Sequence, residues 1–200
     1  MYLTFTPAGV EFAYRNGIFP MSASEFGDIN WYRPDPRAVI PLDRFHVSRS
    51  LAKTIRQGVF EVRVNTDFVG VMRGCATNRE DGTWISEEFV ELYSELHRSG
   101  KAHSVETWRD ERLVGGTYGL ALGGAFMAES MFHYETDASK VALAALVARL
   151  CERGFQLLDV QYVTPHLERF GAVEIPHRIY YDLLKRSLRL HREFDPSMGT

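Results

Sequence analysis

The sequence predicts an α+β protein with a mixed, mostly antiparallel sheet and flanking helices, and three consecutive segments support this prediction. Residues 103–132 contain Gly123-Gly124, a strong hairpin signal, and should form a three-stranded antiparallel meander. Residues 138–153 have apolar side chains at helical spacing. Residues 155–163 then form a short apolar strand. A helix that joins a meander to a further strand favours one sheet with helices packed against it.

Further helices are predicted where a capping side chain precedes the helix and a glycine follows it, as at Thr6 and Gly17, Ser48 and Gly58, and Ser86 and Gly100. In the first half of the chain the predicted elements are helices at residues 7–16, 48–57, about 66–75 and 86–100, and a strand at residues 59–65. In the second half, Asp137 should cap the long helix. A short helix from Thr164 to about Gly171, a strand at 173–176 and an amphipathic helix over 179–192 complete the prediction.

Residues 18–37 are expected to lie largely on the surface. Residues 18–21 should form an exposed apolar turn, and residues 22–30 a polar loop. Pro34 and Pro36 argue against both a helix and a central strand. We therefore expect residues 31–37 to lie extended across a surface, with their aromatic and arginine side chains available for contacts.

Composition indicates an ordinary globular protein without a general attraction to nucleic acid. Of its 200 residues, 45% are hydrophobic and 24% charged, and the net charge is -3, so nucleic-acid contacts would need a local basic patch. Cys75 and Cys151, the two cysteines, lack a CxxC spacing and are expected to be reduced, which predicts a cytoplasmic protein. Neither a membrane span nor a signal peptide is expected.

One local basic patch is present. Residues 33–63 contain seven Lys or Arg against three acids, and Arg49, Lys53 and Arg56 fall on one predicted helix. This face is either a solvated surface or a contact for a phosphate backbone.

Asp159 and Gln161 interrupt the apolar strand at 155–163. Residues two apart in a strand share a face, so a carboxylate and an amide should project side by side. Burying an unpaired charge costs roughly several kcal/mol, so these two residues need a reason to be there. They are either a structural pair that satisfies backbone groups or part of a site.

The predicted order of elements resembles the GNAT-type acyltransferase fold. In that fold the strands before and after the central helix splay apart, and the acyl donor lies in the gap. The usual members bind coenzyme A pyrophosphate on a glycine-rich loop before that helix. Here residues 133–140 contain two acids and no glycine, so a coenzyme A-dependent activity is disfavoured.

A set of short motifs in register resembles the leucyl/phenylalanyl-tRNA–protein transferase family from Pro7 to about Leu188. The motifs are Gly17-Ile18-Phe19-Pro20, Trp31 with Pro34-Asp35-Pro36-Arg37, Gly74-Cys75-Ala76 with Arg79-Glu80-Asp81-Gly82-Thr83-Trp84-Ile85, His103-Ser104-Val105-Glu106, Leu113-Val114-Gly115-Gly116 with Tyr118-Gly119, Glu129-Ser130-Met131-Phe132, Ala138-Ser139-Lys140, and Leu158-Asp159 with Gln161.

The resemblance implies a short N-terminal domain at residues 1–36 and a GNAT-like catalytic domain at 37–200. It implies transfer of Leu, Phe or Met from aminoacyl-tRNA to the α-amine of a protein with N-terminal Arg or Lys, which marks that protein for degradation. We expect a monomer without contact to a membrane. Metal-ligand spacing, a Walker loop and a Ser-His-Asp signature are all missing from the sequence, so no metal or cofactor is expected.

The resemblance also implies roles for individual residues. Asp159 would orient the acceptor amine and take its proton, Gln161 would hydrogen-bond the reacting groups, and Glu129 would add a negative field. The pocket for the donor side chain would comprise Thr117, Phe126, Met131, Leu146 and Leu158, for which core packing is the alternative. Strict alternation puts Phe126 and Met131 on opposite faces of their strand, and Leu158 and Asp159 likewise. A bulge, or the splay between the two strands, would have to bring the pocket residues to one side. Contacts to the terminal adenosine and tRNA backbone would come from Trp84, Tyr14, Met21, Tyr93, Arg49, Lys53 and Arg56.

Three departures from the family pattern concern the donor. Met21 stands where the family usually has Trp, Thr117 replaces a usual Met, and Thr164-Pro165 replaces an Asn-Asp pair. They leave open a related transferase with another donor or acceptor. A second alternative, from a different class, is a tRNA-binding protein without catalysis.

Overall fold

The fold was taken from a computed structural model, which describes residues 3–22, 29–77 and 85–198. Within these ranges the helices are α1 (Pro7–Arg15), α2 (Arg49–Arg56), α3 (Phe68–Thr77), α4 (Glu87–Arg98), α5 (Ala138–Glu152), α6 (Pro165–Glu168) and α7 (His177–Ser187). The strands are β1 (Phe19–Ser22), β2 (Ile29–Tyr32), β3 (Arg37–Val39), β4 (Glu61–Val64), β5 (Ala102–Arg109), β6 (Arg112–Leu122), β7 (Ala125–His133), β8 (Leu157–Gln161) and β9 (Val173–Ile175).

Side-chain caps begin four of the helices at the predicted residues. Thr6, Ser48, Ser86 and Thr164 each accept a hydrogen bond from a backbone N–H in the first turn of their helix. Asp137 does not cap α5 in this way. Its backbone is left-handed, with φ 70°, and its carboxylate binds Lys140 Nζ at 2.7 Å instead. The last predicted helix also ends early, at Ser187.

A seven-stranded sheet in the order β4-β5-β6-β7-β8-β3-β9 forms the centre of the protein. Every pair in it is antiparallel except β7 with β8, which is parallel. The α5 helix makes the connection between these two strands. This arrangement confirms the predicted α+β class with a mixed, mostly antiparallel sheet.

Helices cover both faces of the sheet and divide the core into two clusters. One cluster contains side chains from α1, α3, α4 and α7. The other contains side chains from α2, α5 and α6, together with Phe194 from the C-terminal segment. Both faces of the sheet are therefore buried, which is why β7 and β8 are apolar on both sides.

The parallel strands β7 and β8 stay paired over only three positions. Ala125 pairs with Leu157, and Met127 with Asp159, after which no further pairs form and the strands diverge. Just beyond this point β7 has a bulge. Tyr118 pairs with Ser130 and Gly119 with Ala128, so Glu129 is the extra residue. A bulge redirects side chains, and this one lies where the sheet opens.

The segment before β4 departs from its prediction in two places. Residues 19–22 form β1, which pairs with β2, and Phe19 is buried rather than exposed. Arg37 begins β3, an internal strand between β8 and β9, and its side chain is buried as well. Pro34 and Pro36 both precede this strand, so they remove no N–H from its hydrogen-bond ladder. The prediction of an exposed extended segment at residues 31–37 was therefore wrong for Arg37.

None of the helices in the described ranges has the length and apolar character needed to cross a membrane.

Gly119→Ala should lower the free energy of unfolding by about 2 kcal/mol. A Cβ atom at this position would lie 2.2 Å from the carbonyl oxygen of Met127 on the neighbouring strand, so β7 would have to shift beside its bulge. Urea unfolding followed by circular dichroism measures the change.

Gly58→Ala is the matched control for this experiment. Gly58 has φ +61° but no heavy atom within 4 Å of an added Cβ, so its substitution adds backbone strain of about 1 kcal/mol without a clash. A Gly119→Ala variant as stable as Gly58→Ala would show that the contact across the bulge is not tight.

Candidate active site

Asp159 on β8 is fully buried, and its two oxygens accept four hydrogen bonds. Arg37 donates from Nε to Oδ1 at 2.8 Å and from Nη2 to Oδ2 at 2.6 Å. The hydroxyl of Tyr180 donates to Oδ2 at 2.7 Å, and the backbone N–H of Gln161 donates to Oδ1 at 2.9 Å. Both carboxylate oxygens are thus hydrogen-bonded by other groups of the protein.

Arg37 lies between two aromatic rings as well as beside Asp159. Its guanidinium carbon is 4.6 Å from the ring centroid of Phe19 and 4.8 Å from that of Tyr180. Burial opposes the charge of Arg37, but the neighbouring Asp159 carboxylate more than compensates and raises the pKa of Arg37 above its usual value. The two side chains form a fully buried ion pair that joins β3 to β8.

Gln161 ends β8 in a strained backbone conformation. Its φ is +64°, and the N–H of Tyr162 donates to the carbonyl of Val160 at 2.7 Å, so Gln161 is the centre of a three-residue turn. The hydrogen bond from its own N–H to Asp159 holds this turn. The amide side chain donates from Nε2 to Oε1 of Glu129 at 3.2 Å, across the opening between β7 and β8.

Glu129, the bulged residue of β7, receives hydrogen bonds from two buried tyrosines as well as from Gln161. Tyr14 donates to Oε1 and Tyr93 donates to Oε2 at 3.4 Å, and the two phenol oxygens are 3.2 Å apart. Burial raises the pKa of Glu129 to about 7; the charge of Asp159 adds to this, whereas the Tyr14, Gln161 and Arg37 contacts oppose it. Burial and the nearby Glu129 raise the pKa of both tyrosines, so the phenols stay protonated and can donate.

A cleft of about 330 Å³ opens beside this network, where β7 and β8 diverge. Its wall combines apolar side chains with the polar groups of Glu129 and Gln161. The lining residues are Met21, Thr117, Ala128, Glu129, Ser130, Met131, Val160, Gln161, Tyr162, Thr164, His166 and Leu167. Burial, with the nearby Lys140, His133 and Arg169, lowers the pKa of His166, so its imidazole is neutral at pH 7.

The structure brings Asp159, Gln161 and Glu129 together, as the sequence predicted. The geometry does not provide the predicted contact of Asp159 with a substrate amine, because Asp159 has no exposed surface and both oxygens are bonded. Glu129 and Gln161 do reach the cleft.

Only two of the five predicted pocket residues line the cleft. Thr117 and Met131 do so, whereas Phe126, Leu146 and Leu158 are buried in the core cluster on the α5 side. The bulge at Glu129 does bring Phe126 and Met131 to the same face of the sheet, since both pack against that cluster. For the three buried residues, the placement favours the alternative of core packing.

The residues predicted to contact tRNA are placed differently from one another. Met21 lines the cleft. Tyr14 and Tyr93 have no exposed surface and bind Glu129, so the geometry does not provide their predicted contact with the terminal adenosine. Trp84 lies outside the described residues. The remaining three, Arg49, Lys53 and Arg56, are exposed at i, i+4 and i+7 on one face of α2.

Sequence reasoning missed Arg37 and Tyr180 as partners of Asp159, and Tyr162 as part of the cleft wall. Arg37 directly precedes the apolar run at residues 38–40, and this run was the available signal for a buried strand. Within the described ranges, no group of three or more His, Cys, Asp or Glu side chains is arranged to hold a metal ion.

Arg37→Met should lower the free energy of unfolding by about 4 kcal/mol, because it leaves the buried Asp159 charge unpaired. Adding Asp159→Asn to this variant should restore part of the loss by removing that charge. Urea unfolding of the two single variants and the double variant measures the coupling.

Arg109→Met is the control, since it breaks an ion pair with Glu135 of similar length, 2.8 Å, at an exposed position. Its effect should stay below about 1 kcal/mol. Strictly additive losses for Arg37→Met and Asp159→Asn would refute the coupling between the two charges.

Glu129 should make the protein less stable as the pH rises from about 4.5 to about 7. Its pKa is 4.5 as an ordinary carboxyl and about 7 when folded, so in this window the folded protein keeps a proton that the unfolded chain has released. The free energy of unfolding therefore falls with rising pH. Glu129→Gln lacks this proton, and the stability of the unsubstituted protein relative to the variant should decline across the window.

Urea unfolding at a series of pH values measures this difference, and Glu88→Gln at an exposed position of α4 controls for the substitution itself. A difference between the unsubstituted protein and Glu129→Gln that is constant or rises with pH would contradict the raised pKa.

Comparison with known proteins gives a consistent assignment. The family model described as leucyl/phenylalanyl-tRNA protein transferase matches residues 39–185, and the model of the N-terminal domain of the same family matches residues 4–35. A leucyl/phenylalanyl-tRNA–protein transferase from Herpetosiphon aurantiacus is 54% identical over 190 residues, which cover 94% of this chain and 97% of that protein. One from Rubrobacter xylanophilus is 54% identical over 193 residues, covering 96% and 100%.

Solved structures show weaker similarity. L-PGS from Bacillus licheniformis is 13% identical with a TM-score of 0.43, over 79% of this chain and 54% of that one. A ribosomal-protein-alanine N-acetyltransferase from Brucella melitensis is 14% identical with a TM-score of 0.39, over 61% and 88%. The assignment rests on the sequence matches, which span almost the whole chain. The chain belongs to the leucyl/phenylalanyl-tRNA–protein transferase family.

Proposed function

We propose that this protein transfers leucine, phenylalanine or methionine from aminoacyl-tRNA to the α-amine of proteins whose N-terminal residue is Arg or Lys. The observation that carries the proposal is the meeting of Glu129 and Gln161 across the gap between β7 and β8, at the wall of a largely apolar cleft. Family membership supports the same reaction class. We further propose that the enzyme acts as a cytoplasmic monomer and that its products are marked for degradation.

The reaction requires positioning and proton transfer rather than a strong activating group. The donor is an ester of the terminal ribose, and the acceptor amine has an ordinary pKa of about 8. The amine nitrogen attacks the ester carbonyl carbon, a C–N bond forms, and the C–O bond to the ribose breaks. The proton that the amine loses ends on the ribose oxygen, so the products are an amide and a tRNA with a free hydroxyl group.

Glu129 is the group best placed to handle this proton. Its side chain reaches the cleft, and a pKa of about 7 lets it accept a proton from the amine and return it to the ribose oxygen. The tyrosine hydroxyls of Tyr14 and Tyr93 hold the carboxylate in place. Gln161 is the second polar group at the cleft, and its amide can hydrogen-bond the reacting ester.

Asp159 serves as a positioning residue in this proposal. It has no exposed surface, but it accepts the N–H of Gln161 and so maintains the strained turn that aims the amide at Glu129. Arg37 and Tyr180 fix the Asp159 carboxylate in turn.

Two other features support the proposed donor. The apolar part of the cleft wall, which includes Met131, Val160 and Leu167, suits an apolar side chain such as that of leucine or phenylalanine. The exposed basic face of α2, with Arg49, Lys53 and Arg56, suits contacts with tRNA phosphates.

Transfer of radiolabelled Leu, Phe and Met from charged tRNA to peptides that differ only in their first residue tests the function. We expect transfer to peptides that begin with Arg or Lys. Glu129→Gln should reduce kcat by about a hundredfold, because an amide cannot accept the proton, with donor binding retained. Glu88→Gln, on the outer surface of α4, should transfer at the unsubstituted rate.

Three outcomes would count against parts of the proposal. Transfer of other amino acids, or to peptides with other first residues, would favour a related transferase. Binding of tRNA without any transfer would make the protein a non-catalytic tRNA-binding protein. Near-normal transfer by Glu129→Gln would exclude Glu129 as the proton acceptor.

A further inference from the structure

Tyr162 presents an exposed aromatic ring at the cleft. Its side chain is 46% exposed, and it belongs to the wall of the cleft together with Met21. It follows Gln161 directly in the chain, so its Cα atom is about 3.8 Å from that of a residue whose side chain reaches Glu129. An exposed aromatic ring therefore lies at the wall of the cleft, beside the polar groups of the candidate site.

The ring of Tyr162 is held in place by its surroundings. The three-residue turn at Gln161 directs the chain away from the β8 ladder at this point. The ring meets the buried Phe19 edge-on, with centroids 6.0 Å apart and planes at 81°. A side chain that is already ordered loses little conformational entropy when a ligand packs against it.

Few other rings in the described parts of the chain can serve this cleft. Among its described lining residues, Tyr162 and His166 carry rings, and the His166 ring already packs edge-on against Phe170 at 5.2 Å. Tyr14 and Tyr93 are buried beneath the cleft, as described above.

We propose that Tyr162 is a donor-binding residue whose ring stacks on a nucleobase at the 3′ end of the tRNA, with the Met21 side chain beside the base. This inference rests on the proposed function. The ester must lie at Glu129 and Gln161 for transfer to occur, and the terminal base is one ribose away from it. A polarizable thioether such as that of Met21 packs favourably against an aromatic base.

Stacking on an aromatic side chain is tolerant of base identity, and its loss weakens binding of a single strand by about tenfold per base. It also releases no counterions, so it does not contribute to the salt dependence of binding. These two properties separate the proposed contact of Tyr162 from the contacts expected of the basic face of α2.

The test compares Tyr162→Leu and Tyr162→Phe with Phe12→Leu, which replaces an aromatic residue of similar exposure, 41%, outside the cleft lining. The binding probe is a CCA trinucleotide that carries the fluorescent analogue 2-aminopurine as its terminal base, whose emission is quenched on stacking. Transfer from Leu-tRNA to an Arg-initiated peptide is measured in parallel.

We expect Tyr162→Leu to weaken probe binding and to raise the KM for Leu-tRNA by about tenfold each, with reduced quenching of the probe and kcat within about twofold. Tyr162→Phe should restore both, because stacking needs the ring and not the hydroxyl, and Phe12→Leu should change neither. The salt dependence of tRNA binding should be unchanged in Tyr162→Leu and reduced in Lys53→Gln.

The outcomes distinguish this inference from the proposed function. If the unsubstituted protein transfers leucine but Tyr162→Leu binds the probe normally, or if Tyr162→Phe is as weak as Tyr162→Leu, the stacking role is excluded and the function stands. If the unsubstituted protein transfers nothing but Tyr162→Leu still loses probe binding, the function fails and the stacking role stands. If the unsubstituted protein transfers nothing and Tyr162→Leu binds the probe normally, both proposals are overturned.

Discussion

The ion pair between Arg37 and Asp159 is the interaction on which the centre of this protein depends, because neither charge could remain buried there without the other. It joins β3, from the start of the chain, to β8, which follows the long α5 helix more than a hundred residues later. Phe19 of β1 and Tyr180 of α7 pack on the same guanidinium. Four distant segments therefore meet at one ion pair, which links β8 to its neighbour β3 in the sheet.

The candidate active site is arranged by this pair and by two local irregularities. Asp159 holds the turn at Gln161, and the bulge in β7 turns Glu129 toward the same gap. A regular strand in either place would point the amide or the carboxylate elsewhere, since side chains alternate along a strand. Glu129 is also held by Tyr14 from α1, so a residue of the N-terminal region completes a site that lies mainly in the larger sheet.

The parts of the fold that could be predicted are those with local physical signals. Thr6, Ser48, Ser86 and Thr164 do cap helices, and the meander turns at Gly123, as the pattern of polar, apolar and glycine residues indicated. The internal position of β3 could not be predicted in the same way. Its three residues are too short for a periodic pattern, and the partner that makes burial of Arg37 favourable lies 122 positions away in the sequence.

By itself the sequence determined the α+β class, the family, and the presence of a carboxylate and an amide two residues apart on one apolar strand. It determined these because helix caps, hairpin signals and the family motifs are all properties of neighbouring residues. Only the tertiary structure decided that Asp159 is bonded to Arg37, that Phe126, Leu146 and Leu158 pack in the core, and that Tyr162 faces the cleft. Those outcomes depend on which distant segments come together and on where β7 and β8 depart from regular geometry, and neither is encoded in local spacing.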